Sequence, residues 1–168
     1  MKGIVKNKEM LLALDDEIKQ SKTGKKLKNQ PMKMQITNLG SSINSEFDDH
    51  SPVVAADEAI LIFTSRRQLS DFAKEKADGQ FDEDIYLANL SDEGWLKPSG
   101  ISDYINTLGH EASISISADG QQLLVYSEAE NGTILISSLQ GDEWLRPENA
   151  GTNINSKYRE THASISAD

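Results

Sequence analysis

The sequence predicts a mainly β protein of antiparallel four-stranded blades, two complete and the first strand of a third, preceded by a short α-helical segment. Three observations lead there. A fifteen-residue phrase is written three times, INSEFDDHSPVVAAD at residues 43–57, INTLGHEASISISAD at 105–119 and INSKYRETHASISAD at 154–168. The second and third copies lie 49 residues apart, and Trp95 with Trp144, Pro98 with Pro147 and Asp119 with Asp168 keep that spacing. Between the copies, short apolar runs alternate with turn residues, the pattern of antiparallel strands.

Each element follows in order. Residues 6–21 read as a helix, because Leu11, Leu14 and Ile18 recur at spacings of three and four and so share a face. Asp15 and Lys19 form an i, i+4 pair of favourable order on it. Gly24 is read as its stop signal, and Pro31 as the opening of a linker. A helix of this length is marginal alone in water and is expected to dock on another element.

Each repeat unit then reads as four strands. The first alternates, as in residues 113–117 (SISIS), and a turn follows at Asp119-Gly120. The second is a short apolar run, residues 59–65 or 123–127, and the third spans residues 84–88 or 133–138. Asn131-Gly132 is a hairpin signal before the later of these. The fourth centres on Trp95 or Trp144, with a proline three residues on that suits a sheet edge because it cannot donate to a ladder. Four short strands at a period close to fifty fit a β-propeller blade.

The first and second phrases are 62 residues apart, 13 more than the later pair. Eighteen residues separate the second and third strands of the first unit and five those of the second, which accounts for the difference. The irregular feature is therefore one insertion, residues 66–83. The division is then residues 1–34, helix and linker; 35–98, a first blade with the insertion; 99–147, a second; and 148–168, the start of a third.

Specific motifs resemble a known family. The Ile-Asn-Ser/Thr opening, the Ser-Ala-Asp-Gly turn, Phe-Thr-Ser-Arg-Arg at residues 63–67, Asp-Ile-Tyr at 84–86 and Gly-Trp-x-x-Pro at 94–98 are similar to the PD40, or WD40-like, propeller repeat. This repeat occurs in TolB-type propellers and in bacterial envelope proteins that join helical repeats, a propeller and an OmpA-like peptidoglycan-binding domain. The resemblance covers about residues 35–168. It implies a periplasmic or outer-membrane-associated protein, and makes residues 8–31 look like the end of a TPR-like helical domain. The second unit departs from it, with Tyr-Ser-Glu-Ala-Glu at 126–130 and Gly-Thr-Ile at 132–134. A role for Arg66 or Arg67 therefore cannot extend to every repeat.

Propellers close with four to eight blades. The phrase stopping at Asp168 leads to the expectation that the chain is a section of a longer polypeptide, with open blade edges that favour self-association.

Composition excludes several classes. The net charge of −10 divides into about +5 over residues 1–35 and about −15 beyond. An acidic blade region argues against nucleic-acid binding, which needs clustered Lys and Arg. With no cysteine, thiol catalysis, disulfides and thiolate metal sites are excluded. No run approaches the roughly 20 apolar residues of a membrane span, so direct membrane insertion is not expected, and residues 1–14 do not form a signal peptide.

No catalytic constellation is present. Gly-x-Ser-x-Gly, Walker A and Gly-x-Gly-x-x-Gly motifs are missing. His110-Glu111 opens a zincin-like phrase, but Ile114 stands where its second histidine is required. His50, His110 and His162 occupy different positions of their phrases, which argues against a metal ring built by repetition. Asp78, Asp82 and Asp84 give one loop the oxygen density of a calcium site, although Glu83 occupies the glycine position of an EF-hand. Solvated loop acids are the alternative reading, and no cofactor is the expectation. Asn44, Asn106 and Asn155 are read as backbone caps, and Trp95 and Trp144 as packing between neighbouring blades.

Topology gives one functional lead. In an antiparallel four-stranded blade, the loop between strands two and three emerges at the same end as the connection into the next blade. The insertion should therefore share a face with the Ile-Asn loops. Arg66, Arg67, Lys74 and Lys76, beside Asp48, Asp49 and His50, form the candidate partner-binding face. The function expected is a non-catalytic propeller scaffold or protein-interaction module of a bacterial cell envelope. The alternatives are the recognition propeller of a larger hydrolase and a carbohydrate- or small-ligand-binding propeller.

Overall fold

The structure, a computed structural model, describes residues 8–128 and 131–167. The chain divides into two units, residues 1–38 and 39–168.

Among the described residues, the first unit holds one helix, α1 (Lys8–Lys28). The expected helix was shorter; its residues 6 and 7 lie outside the described residues, and Gly24 does not stop it. A glycine inside a helix costs about 1 kcal/mol relative to alanine, which lysines and Leu27 around it tolerate as helix formers. Pro31 sets the end instead, because it disfavours helical backbone at the residue before it. The last turn tightens through the Asn29 N–H to Lys26 C=O and Gln30 N–H to Leu27 C=O bonds, of 3.1 and 2.9 Å. Lys19 pairs with Asp15 at 3.0 Å and with Asp16 at 3.4 Å.

The second unit is mainly β and contains two antiparallel sheets. The first comprises β1 (Asp49–Val54), β2 (Ile60–Ser65), β3 (Asp84–Ser91), β4 (Gly94–Trp95) and β5 (Ser99–Gly100). The second comprises β6 (Glu111–Ile116), β7 (Gln122–Ser127), β8 (Thr133–Gln140), β9 (Glu143–Trp144) and β10 (Glu148–Asn149). Registers repeat between them. Ile62 faces Leu87 as Leu124 faces Ile136, Leu90 faces Trp95 as Leu139 faces Trp144, and Tyr86 faces Gly100 as Leu135 faces Asn149.

Two expectations are corrected. Each sheet has five strands where four were expected, because the outermost strand is broken. Pro98 and Pro147 lack the N–H a continuous ladder needs, so a two-residue hairpin (β4 or β9) and a two-residue strand (β5 or β10) pair separately with β3 or β8. The third phrase, in turn, forms no strand among the described residues. In the first two phrases the strand exists by pairing with the one that follows, β1 with β2 and β6 with β7. Up to residue 167 the third copy has no such neighbour.

The phrase itself makes the same turn three times. Its asparagine N–H bonds the carbonyl four residues earlier, Asn44 to Gly40 at 2.9 Å, Asn106 to Ser102 at 2.9 Å and Asn155 to Gly151 at 2.8 Å. The side chain then does more than cap. Asn106 Oδ1 accepts the Ile85 N–H at 2.8 Å while its Nδ2 donates to the Ile85 carbonyl at 3.0 Å. Asn155 repeats this on Ile134, at 2.9 and 2.8 Å. A planar amide carries one donor side and one acceptor side, so it stands in for a strand residue where β5 or β10 has ended.

The two sheets share a core of Ile62, Ile85, Ile105, Leu123, Val125 and Trp144. A polar seam crosses it, with the Ser113 N–H donating to Thr64 Oγ1 at 3.0 Å and the two hydroxyls 3.2 Å apart. Thr64 and Ser113 are buried, so these bonds satisfy groups that would otherwise be costly there. A second cluster, Ile43, Leu61, Phe63, Tyr86 and Ala88 with Trp95 against it, occupies the other side of the first sheet. Of the two tryptophans read as inter-sheet packing, Trp144 lies in the shared core and Trp95 in this second cluster.

Replacing Asn106 with alanine strands the buried Ile85 N–H, while the Ile85 carbonyl keeps its bond from the Ile101 N–H at 3.0 Å, and denaturant titration should show a loss of about 1–3 kcal/mol. The same change at the more exposed Asn155 should cost less. Equal losses would refute the burial argument.

Candidate functional site

The insertion is built on a pinned neck. The Arg66 N–H donates to Asp48 C=O at 3.0 Å and the Phe81 N–H to Arg66 C=O at 3.1 Å. The Arg66 side chain closes the neck, with Nε to Phe81 C=O at 3.0 Å and an amino nitrogen to Asp78 Oδ2 at 2.7 Å. That contact holds the Asp78 carboxyl below the usual carboxylate range. Phe81 turns inward and packs edge-on to Phe47, ring centres 5.6 Å apart.

The insertion does lie beside the phrase loops. Gln80 brackets Asp48, its Nε2 donating to Oδ2 at 2.9 Å and its Oε1 accepting the Asp48 N–H at 3.0 Å. Leu69 Cδ1 comes to within 2.6 Å of the place a Cβ on Gly100 would take, so the end of the insertion rests against β5. His110 reaches the base of the insertion from the second phrase. Its Nδ1 accepts the Glu83 N–H at 3.1 Å, which places the proton of the neutral ring on Nε2, 3.2 Å from Asp82 Oδ1.

Of the four cations read as a partner-binding face, three are engaged inside the protein. Arg66 holds Asp78, Lys76 pairs with Asp82 at 2.7 Å, and Arg67 is the most deeply held. The Arg67 guanidinium lies 5.1 Å from the Phe63 ring centre and 5.0 Å from that of Tyr86. It donates to Ser65 Oγ at 2.8 Å, and to the Ile43 carbonyl and Asp49 Oδ1 at 2.7 Å each. Burial would raise the Asp49 carboxyl, but the Ser45 N–H, the Ser65 hydroxyl and Arg67 together hold it below the usual range. Lys74 is exposed, as is Phe72, which keeps 93 % of its surface, and Leu108 in the adjacent phrase loop is fully exposed. His50 lies 3.5 Å from Glu83 Oε1.

The carboxylates considered for calcium have separate duties. Asp78 belongs to Arg66, Asp82 to Lys76 and His110, and Asp84 is buried at the start of β3. Among the described residues no group of three His, Asp or Glu side chains is arranged to hold a metal ion. Asp84 is pushed up to about 7, first by burial and then by the charges of Glu111 and Asp82. Glu111, itself buried, receives the Thr107 N–H at 2.9 Å and the Thr107 hydroxyl at 2.6 Å.

That last pair is part of a motif the sequence reading passed over. Ser45 bonds Asp49 and Ser156 bonds Glu160 in the same way, so each phrase carries a Ser/Thr followed four residues later by an acid. The spacing is visible in all three copies, and is the signal that identifies it. Arg67 pairs with the first of these acids, Asp49, and in sequence the second unit has Ala129 where Arg67 stands.

The fold and site define a repeat protein of paired antiparallel sheets, each clamped by the phrase that follows it. No family model, curated protein or solved structure matches the chain.

Two measurements check these assignments. Below about pH 4 the Asp84 proton is held in both folded and unfolded chains; between there and about 7 only the folded chain holds it, so the associated stability is fully present below about 4 and is lost progressively until pH has passed about 7. Thermal melts should show Tm falling from pH 6 to pH 8 in the native protein and a flatter profile in Asp84→Asn. Substituting Arg67 with alanine should cost about 2–4 kcal/mol, and lysine should restore less than half, since one ammonium cannot make the planar set of contacts.

Proposed function

We propose that the two sheets are consecutive blades of a PD40-like β-propeller, and that the module is a non-catalytic scaffold of a bacterial cell envelope that engages a protein partner at its insertion end. The motif resemblance and the constant registers between the sheets support the blade reading. The single observation that carries the interaction reading is the exposed tip of the insertion. Phe72 stands 93 % exposed on a loop whose neck is fixed by Arg66 and Phe81, with Lys74 beside it in sequence and Leu108 exposed on the neighbouring phrase loop. A large apolar side chain held in water on a rigid base is the type of residue that anchors interfaces. The ion pairs of Arg66, Arg67 and Lys76 shape the base, and the apolar tip supplies the contact.

Photocrosslinking in the producing cell tests this. A photoreactive residue at position 72 should yield a discrete adduct with a second protein in the envelope fraction. One at Glu58, in the β1–β2 turn at the opposite end of β2, should not. Absence of an adduct at position 72, or equal adducts at both, would sink the reading.

A further inference from the structure

A cleft of about 270 Å³ lies where the three phrases converge, and its walls obey the repeat. It is lined by Ser51 and Pro52 of β1, Ser113 and Ile114 of β6, and His162 and Ala163 of the third phrase, the same two positions of each copy. The first two pairs sit at β-bulges, between His50 and Val53 and between Ser113 and Ser115, where the strand carries one residue more than its partner. Bulges of this kind re-aim side chains next to binding sites. Ser51 adopts φ 51° there, a left-handed conformation uncommon for a residue with a Cβ. Repetition therefore brings three equivalent pairs to one place, where they surround a space.

We propose that this cleft binds one ring of a neutral sugar or a comparable cyclic polyol. No Asp, Glu, Lys or Arg lines it, and the cation behind its wall, Arg159 on the Tyr126 hydroxyl, is paired with Glu128 at 3.2 Å, so a charged ligand would lose water without gaining an unpaired counter-ion. Pro52, Ile114 and Ala163 give apolar walls for the C–H face of a ring. Ser51, Thr161 and Tyr126 bring hydroxyls, each with remaining hydrogen-bonding capacity beside its present partner (His50 Nδ1 at 3.0 Å from Ser51 Oγ, Arg159 Nε donating to the Tyr126 oxygen at 2.8 Å), and His162 an imidazole whose Nδ1 lies 2.7 Å from Thr161 Oγ1, leaving Nε2 for a ligand hydroxyl. The Ser113 hydroxyl donates to the Ser51 carbonyl at 2.8 Å and so fixes the spacing of two walls. The volume is at the lower limit of ligand pockets, which suits one ring and excludes a longer chain held throughout its length. This inference does not rest on the insertion end or its partner.

Amide NMR titration of the whole chain tests it, with glucose, galactose, mannose and N-acetylglucosamine as probes and glucuronate and glucosamine as charged comparators. At least one neutral sugar should give saturable shifts at residues 51, 113, 114, 162 and 163, with the charged sugars weaker. Ala163→Trp, which fills the cleft from the third phrase, should weaken binding by about tenfold or more, and His162→Ala, at an exposed position, by severalfold. No saturable shift with any neutral sugar at about 50 mM, far above a millimolar Kd, would overturn the proposal. So would unchanged binding in both variants. Either failure leaves crosslinking at position 72 unaffected.

Discussion

The arrangement of the second unit depends on an edge that its own strands do not finish. Proline breaks the outermost ladder into two short pieces, and although the Ile101 and Ala150 N–H groups still reach the carbonyls of Ile85 and Ile134, at 3.0 and 3.1 Å, the Ile85 and Ile134 N–H groups would have no strand partner. An asparagine amide from the next phrase fills the gap in both sheets. Because that asparagine follows the sheet it completes, the bond that closes one repeat also fixes where the next begins. Ile105, immediately before Asn106, is thereby delivered into the core shared by the two sheets.

Charge at the insertion end is organised by the same economy of contacts. Arg66 and Arg67 are neighbours in sequence yet serve different structures, one the neck of the insertion and the other the aromatic side of the first sheet. Their positive charge is spent on Asp78 and Asp49. What this end offers outward is therefore set more by Phe72, Leu108 and Lys74 than by a basic field.

Much of this was legible because repetition multiplies weak signals. The strand cores, the insertion at residues 66–83 and its place beside the phrase loops followed from register alone. Other features were hidden because they depend on partners distant in the chain. Gly24 marks a helix end only if nothing after it continues the helix, and Pro31 proved the stronger signal. The third phrase has a strand's alternation but no neighbouring ladder, and alternation without pairing does not make a strand. The role of Arg67 rests on Ile43, Asp49 and two aromatic rings that only folding assembles. The Ser/Thr–acid pairs were readable in all three copies, whereas the burial of Asp84 beside Glu111 was not, because one belongs to each sheet.

That last pairing has a mechanical meaning. Asp84 begins β3 and Glu111 begins β6, so two acids on separate sheets repel one another across the joint unless a proton is held there. Protonating Asp84 thus unloads the joint of like charge, and losing that proton loads it again.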